Sequence, residues 1–90
     1  MSGLSENIAA GGYELDAEGQ TVFATCRRSE DVLTILWVEA PLALRGTGAA
    51  GRLMSLLCEE ARRRGWRIAP SCGYAAAWLR GSKQYRDLMA

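Results

Sequence analysis

The 90-residue chain contains no histidine, which removes Ser-His-Asp and Cys-His catalysis and leaves carboxylates, tyrosines, thiols and amines as its acid–base groups. Cysteine is scarce as well: Cys26, Cys58 and Cys72 are odd in number and lack C-x-x-C spacing, so no zinc site is expected and no metal is assigned. No stretch approaches the roughly 18 apolar residues of a membrane span, and residues 1–12 have neither a basic n-region nor an apolar h-region. The expectation is a reduced, cytoplasmic protein with no membrane partner. Net charge is only +1, yet two arginines face seven acids through Ala40 and nine bases face three acids after it. A basic second half suits a polyanionic ligand, or is simply a solvated helix face.

What is present is an ordinary globular composition, 49% hydrophobic and 23% charged. The length allows one small domain and excludes a two-domain enzyme. Residues 1–11 are small and polar and read as a flexible N-terminus, leaving 12–90 as the domain. Residues 12–16 (GYELD) alternate, residues 17–20 (AEGQ) form a glycine turn, and residues 21–28 read as the second strand of a hairpin. Residues 31–40 (DVLTILWVEA) are the most apolar and β-branched run, which predicts a central strand buried on both faces. A helix is expected from Thr47-Gly48 to Arg64, with Ala50, Leu53, Met54, Leu57 and Ala61 on one stripe and Gly65 as its stop. Glu59 with Arg63 and Glu60 with Arg64 are i,i+4 pairs on its outer face. A strand over 66–71, a short helix over 74–80 and a final helical turn within 83–90 complete the order β-β-β-α-β-α. The fold class is α/β in the α+β sense, with a mixed, mostly antiparallel sheet.

The strongest chemical feature is the loop Leu44-Arg45-Gly46-Thr47-Gly48-Ala49-Ala50-Gly51, between the central strand and the long helix. Side-chain-poor backbone at a helix start offers unpaired N–H groups and the positive end of the helix dipole, a setting for phosphate. Its bland counterpart is a turn that lets strand and helix pack closely. The literal G-x-G-x-x-G pattern does not make a dinucleotide fold, because five residues separate the strand from Gly46 and no acid ends the next strand. A P-loop fails for want of Gly-Lys-Ser/Thr. Arg62, Arg63 and Arg64 wrap around a helix turn beside Glu59 and Glu60, so they form no coherent stripe and no nucleic-acid partner is expected.

Arg45-Gly46-Thr47-Gly48-Ala49-Ala50 matches the pyrophosphate-binding signature of the GNAT superfamily of acyl-CoA-dependent N-acyltransferases. With Glu39-Ala40-Pro41, Ile68-Ala69-Pro70-Ser71-Cys72, Tyr74 to Leu79 and Tyr85-Arg86-Asp87-Leu88 in the same order, the chain resembles the short, single-domain GNAT-like acetyltransferases. The family's usual His-Thr pair is replaced here by Trp37-Val38. The resemblance implies a minimal GNAT fold and acetyl-CoA as co-substrate for acetyl transfer to an unidentified amine on a small molecule or protein. The alternative is a coenzyme-A-binding module with little catalysis. It further implies that backbone of Trp37, Val38 and Glu39 faces the acetyl-pantetheine arm, while N–H groups of Gly46, Thr47, Gly48, Ala49 and Ala50 and the side chain of Arg45 hold the pyrophosphate.

Cys72 enters through the resemblance as an acetyl acceptor or nucleophile, against the plainer reading of a packed thiol. Glu39, the only carboxylate at the end of the central strand, is the candidate base for the attacking amine, or else a solvated strand-end residue. Tyr74 and Tyr85 are the candidate proton donors to the departing thiolate, or pack. Trp37, Trp66 and Trp78 are divided between the acceptor pocket and the core. A monomer or weak homodimer is expected.

Overall fold

Residues 3–7 and 11–90 are described by the computed structural model. The first part of the chain is an antiparallel meander of four strands, β1 (Leu4–Asn7), β2 (Gly12–Ala17), β3 (Gln20–Ser29) and β4 (Val32–Glu39). Glu18 and Gly19 join β2 to β3 with φ of 52° and 77°, the left-handed backbone whose twist suits a two-residue hairpin. β1 adds a strand before the predicted order. Its only apolar residue, Leu4, is placed opposite Leu15 of β2, so pairing rather than local pattern makes it a strand.

Residues 42–44 form a 3-10 turn, and α1 (Ala49–Arg64) then crosses back to β5 (Arg67–Pro70), which lies parallel to β4. α2 (Gly73–Arg80) and a last 3-10 turn (Arg86–Leu88) follow. From β2 onward the order is β-β-β-α-β-α, and the five strands lie in sequence order in one mixed α+β sheet. Ala49, Leu53, Met54, Leu57, Cys58 and Ala61 are buried along one side of α1, the stripe an amphipathic helix requires. Gly65 (φ 75°) ends it: its N–H donates to Arg62 O, and Trp66 N–H donates to Ala61 O, the paired bonds of a Schellman stop.

Register shows which face the helices cover. Tyr13, Leu15, Val22, Ala24, Leu33, Ile35 and Ile68 share one face through their pairings and are all buried. α1 and α2 meet over that face, where Gly51 lies against Trp78. The apolar run of β4 is therefore buried on one face only. Trp37 is 55% exposed and Phe23 36% exposed on the other. The chain end is strapped to α1 and β5: Arg62 holds Asp87 and the carbonyl of Gln84, Arg67 holds the carbonyls of Asp87 and Met89, and Met89 bridges Ile68. Glu60 accepts from both Arg63 and Arg64, whereas Glu59 takes the Tyr85 hydroxyl instead of Arg63. A tertiary partner 26 residues away displaces the expected local pair.

Gly12 opens β2 hard against the backbone of β3. A Cβ there would lie 1.9 Å from the carbonyl oxygen of Ala24, backbone that cannot turn aside. Gly12→Ala is expected to cost about 2 kcal/mol of unfolding free energy by overpacking, read from the urea midpoint; an unchanged midpoint would show that β2 and β3 separate easily.

Candidate functional site

β4 and β5 run together only from Val32 opposite Arg67 to Ile35 opposite Pro70. There the carbonyl of Ile35 accepts the N–H groups of Ser71 (2.9 Å) and Cys72 (3.2 Å), and the chain turns away into α2. Residues 37–39 keep their β3 partners and have no β5 partner. The register shifts between Thr25 and Cys26, so Leu36 is an extra residue on β4, a bulge of the kind that re-aims a strand. Ile35 directs its carbonyl toward β5, which makes Cys26 opposite Ile35 a pair without mutual bonds. Such pairs alternate with bonded ones. Thr25–Trp37 is then bonded, and Ala24–Val38 leaves the Val38 N–H and C=O directed to the vacated side. No pattern in Leu36-Trp37 announces the bulge.

The glycine loop closes the far end of this gap. Gly46 and Gly48 have φ of 85° and 84°, and a Cβ at either would meet nothing within 4 Å. Gly48 is the N-cap of α1, and Arg52 N–H is the first to reach back, to Gly48 O. The N–H groups of Gly46, Gly48, Ala50 and Gly51 have no acceptor among the described residues, as the first turn of a helix leaves them. Two of the five N–H groups expected to hold phosphate are used inside the loop. Thr47 N–H donates to Leu44 O, and Ala49 N–H donates to the Thr47 hydroxyl, which itself donates to Leu44 O at 2.6 Å. The Gly51 N–H is open as well, and its missing side chain admits Trp78 and Tyr74 of α2. Arg45 is exposed beside the loop and has no carboxylate partner among the described residues.

Two cavities of about 360 and 290 Å³ flank the strand end and the loop and share Ala40, Arg45, Ala50 and Tyr74. The first is lined also by Trp37, Val38 and Glu39, the second by Gly46, Gly48 and Gly51. They form one cleft running from the β4 end to the helix start. Trp37 Nε1 donates to Glu39 Oε1 at 3.0 Å, fixing that carboxylate at the cleft mouth. Tyr74 is 42% exposed, and partial burial, with the neighbouring Cys72 adding to it, raises its hydroxyl above the ordinary tyrosine value.

Other sequence candidates fall outside the cleft lining. Tyr85 is buried, donates to Glu59 Oε2 at 2.5 Å and stacks on Trp78 at 6.1 Å. That hydrogen bond, then burial, pushes its hydroxyl to about 12. Its hydroxyl bonds α1, and the ring packs at the chain end, away from the residues that line the cleft. Cys72 is buried at the N-cap of α2 and lines neither cavity. Burial pushes the thiols of Cys26 and Cys58 up to about 12. Trp66 has the guanidinium groups of Arg28 (4.9 Å) and Arg64 (5.2 Å) over its ring, outside the cleft lining. Among the described residues no group of three or more His, Cys, Asp or Glu could hold a metal ion, and no helix is long and apolar enough to cross a membrane.

A family model described as GCN5-related N-acetyl-transferase matches residues 12–88. No curated protein matches the chain significantly.

Proposed function

The chain belongs to the GCN5-related N-acetyltransferase family, and from that premise we propose that it transfers the acetyl group of acetyl-CoA to an amine in the cleft between the β4 end and the α1 start. The observation that carries this reading is the continuity of the cleft. An unpaired strand edge suited to an extended amide-bearing arm runs directly into a helix start with open N–H groups suited to a pyrophosphate. The N–H groups of Gly46, Gly48, Ala50 and Gly51 and the guanidinium of Arg45 hold the phosphates, and of the three strand-end residues expected to offer backbone to the arm only Val38 does so, because Trp37 and Glu39 direct theirs to β3.

When bound, acetyl-CoA supplies an acyl group activated as a thioester. The Val38 N–H donates to the thioester carbonyl oxygen, where negative charge develops during attack. Glu39 takes the proton that the attacking amine must lose. As the N–C bond forms and the C–S bond breaks, the Tyr74 hydroxyl gives its proton to the sulfur. A tyrosine hydroxyl carries its proton at neutral pH, and the partial burial of Tyr74 favours that form further. Glu39 then loses its proton to solvent and Tyr74 regains one, so the balance is amine plus thioester to amide plus thiol. The amine attacks directly, and Cys72, buried at the N-cap of α2, takes no part.

A second reading, coenzyme A binding with little transfer, is favoured by Trp37, an indole with no acid–base chemistry at neutral pH. Release of free thiol from acetyl-CoA across a panel of amines separates the two. Saturable release that requires an amine is expected. Binding of coenzyme A with no release on any amine would leave only the second reading.

A further inference from the structure

The sheet face that the helices leave uncovered carries the exposed aromatics Phe23 and Trp37. Register sets them in adjoining rows. Glu14, Phe23 and Glu39 stand side by side on β2, β3 and β4, and Gly12, Thr25 and Trp37 form the next row. Gly12 has no side chain, and a cavity of about 260 Å³ opens at this place, lined by Asn7, Gly12, Glu14, Phe23 and Thr25. Trp37 and Glu39 belong both to this face and to the cleft. Strands lie about 4.8 Å apart, so Glu14 and Glu39 flank Phe23 across a span of about 10 Å.

Each of these carboxylates is fixed by a neutral donor. Asn7 Nδ2 donates to Glu14 Oε2 at 2.7 Å, and Trp37 Nε1 donates to Glu39 Oε1 at 3.0 Å. Neither has a cationic partner among the described residues. Arg27 on the same face stands four residues along β3 from Phe23, opposite Thr34, about 13 Å away at the strand rise. Exposed aromatic faces attract cations, and an apolar ring between two anchored carboxylates complements a molecule that is charged at both ends and apolar between.

We propose that this face is the acceptor subsite and that the acceptor is an aliphatic polyamine, with one ammonium delivered to Glu39 beside Trp37, a second held at Glu14, and the methylene chain over Phe23. The proposal rests on the transferase reading above. Glu39 takes the proton of the first ammonium and passes it to solvent, the freed nitrogen attacks and gives its second proton to the emptied Glu39 as already described, and the second ammonium stays protonated throughout.

The test is an amide NMR titration of the coenzyme-A-saturated protein with diaminobutane and with butylamine, which differ only in the second amine. Shifts are expected at Gly12, Glu14, Phe23 and Thr25, with diaminobutane bound about three- to five-fold more tightly, the reach of one exposed ion pair. Glu14→Gln, checked for an unchanged melting temperature, is expected to bring the ratio of the two affinities to one. Equal affinities in the wild type, shifts confined to other surfaces, or an unchanged ratio in Glu14→Gln would overturn the proposal. In thiol-release assays, preference for a lysine-bearing peptide over diaminobutane would also overturn it and leave the transferase reading standing. Diaminobutane binding at this face without transfer to any amine would overturn the transferase reading and leave the polyamine site standing.

Discussion

Replacing Arg45 with alanine and Gly48 with aspartate together is expected to weaken acetyl-CoA binding by at least about 100-fold, the ratio that corresponds to about 3 kcal/mol. In the proposed site Arg45 makes a charge-assisted hydrogen bond to a phosphate, worth about 1.5–3 kcal/mol. Aspartate at Gly48 acts in two further ways. Its side chain takes up space beside the first-turn N–H groups proposed to bind the phosphate, and its charge repels the phosphate in the same space. Position 48 has room for the side chain, since nothing lies within 4 Å of a Cβ there. The φ of 84° strains a side chain at this position, so the variant is expected to fold with a melting temperature a few degrees below wild type, and binding is read well below that temperature. Calorimetric titration reads the loss. An affinity within about threefold of wild type would mean that the glycine loop is a packing turn.

Glu39→Gln is expected to lower kcat by about 100- to 10,000-fold, the range for removing a positioned general base, with little change in KM for acetyl-CoA. Glutamine keeps an oxygen that accepts the Trp37 indole N–H, so the mouth of the cleft retains its shape and only the proton acceptor is lost. Steady-state thiol release with a saturating amine measures it. A kcat within about threefold of wild type would transfer the role of base to solvent.

The parts of this site that depend on local pattern were legible in the residues, and the parts that depend on pairing were not. Leu53, Met54, Leu57 and Ala61 recur at helical spacing and Gly65 stops them, so α1 and its glycine start could be placed from the sequence. Its start differs from expectation by only one or two residues, and its end at Arg64 is the one expected. The bulge at Leu36 turns Val38 toward the gap, but it is a mismatch between β3 and β4 that neither strand encodes alone. The uncovered face shows the same limit. Ile35, Leu36, Trp37 and Val38 read as a strand buried on both sides, yet α2 joins α1 on one side because Gly51 admits Trp78, and Trp37 is left exposed. Tyr85 carried the same aromatic signal as Tyr74, and only the tertiary contact with Glu59 separates a packing tyrosine from one that lines the cleft.

The measurement that tests the account most directly is calorimetric titration of the wild-type chain with acetyl-CoA. Saturable binding of one molecule per chain is predicted, with a Kd in the micromolar range, about −8 kcal/mol. No saturable heat up to millimolar acetyl-CoA would contradict the assignment of the cleft, and with it every role given to Arg45, Val38, Glu39 and Tyr74.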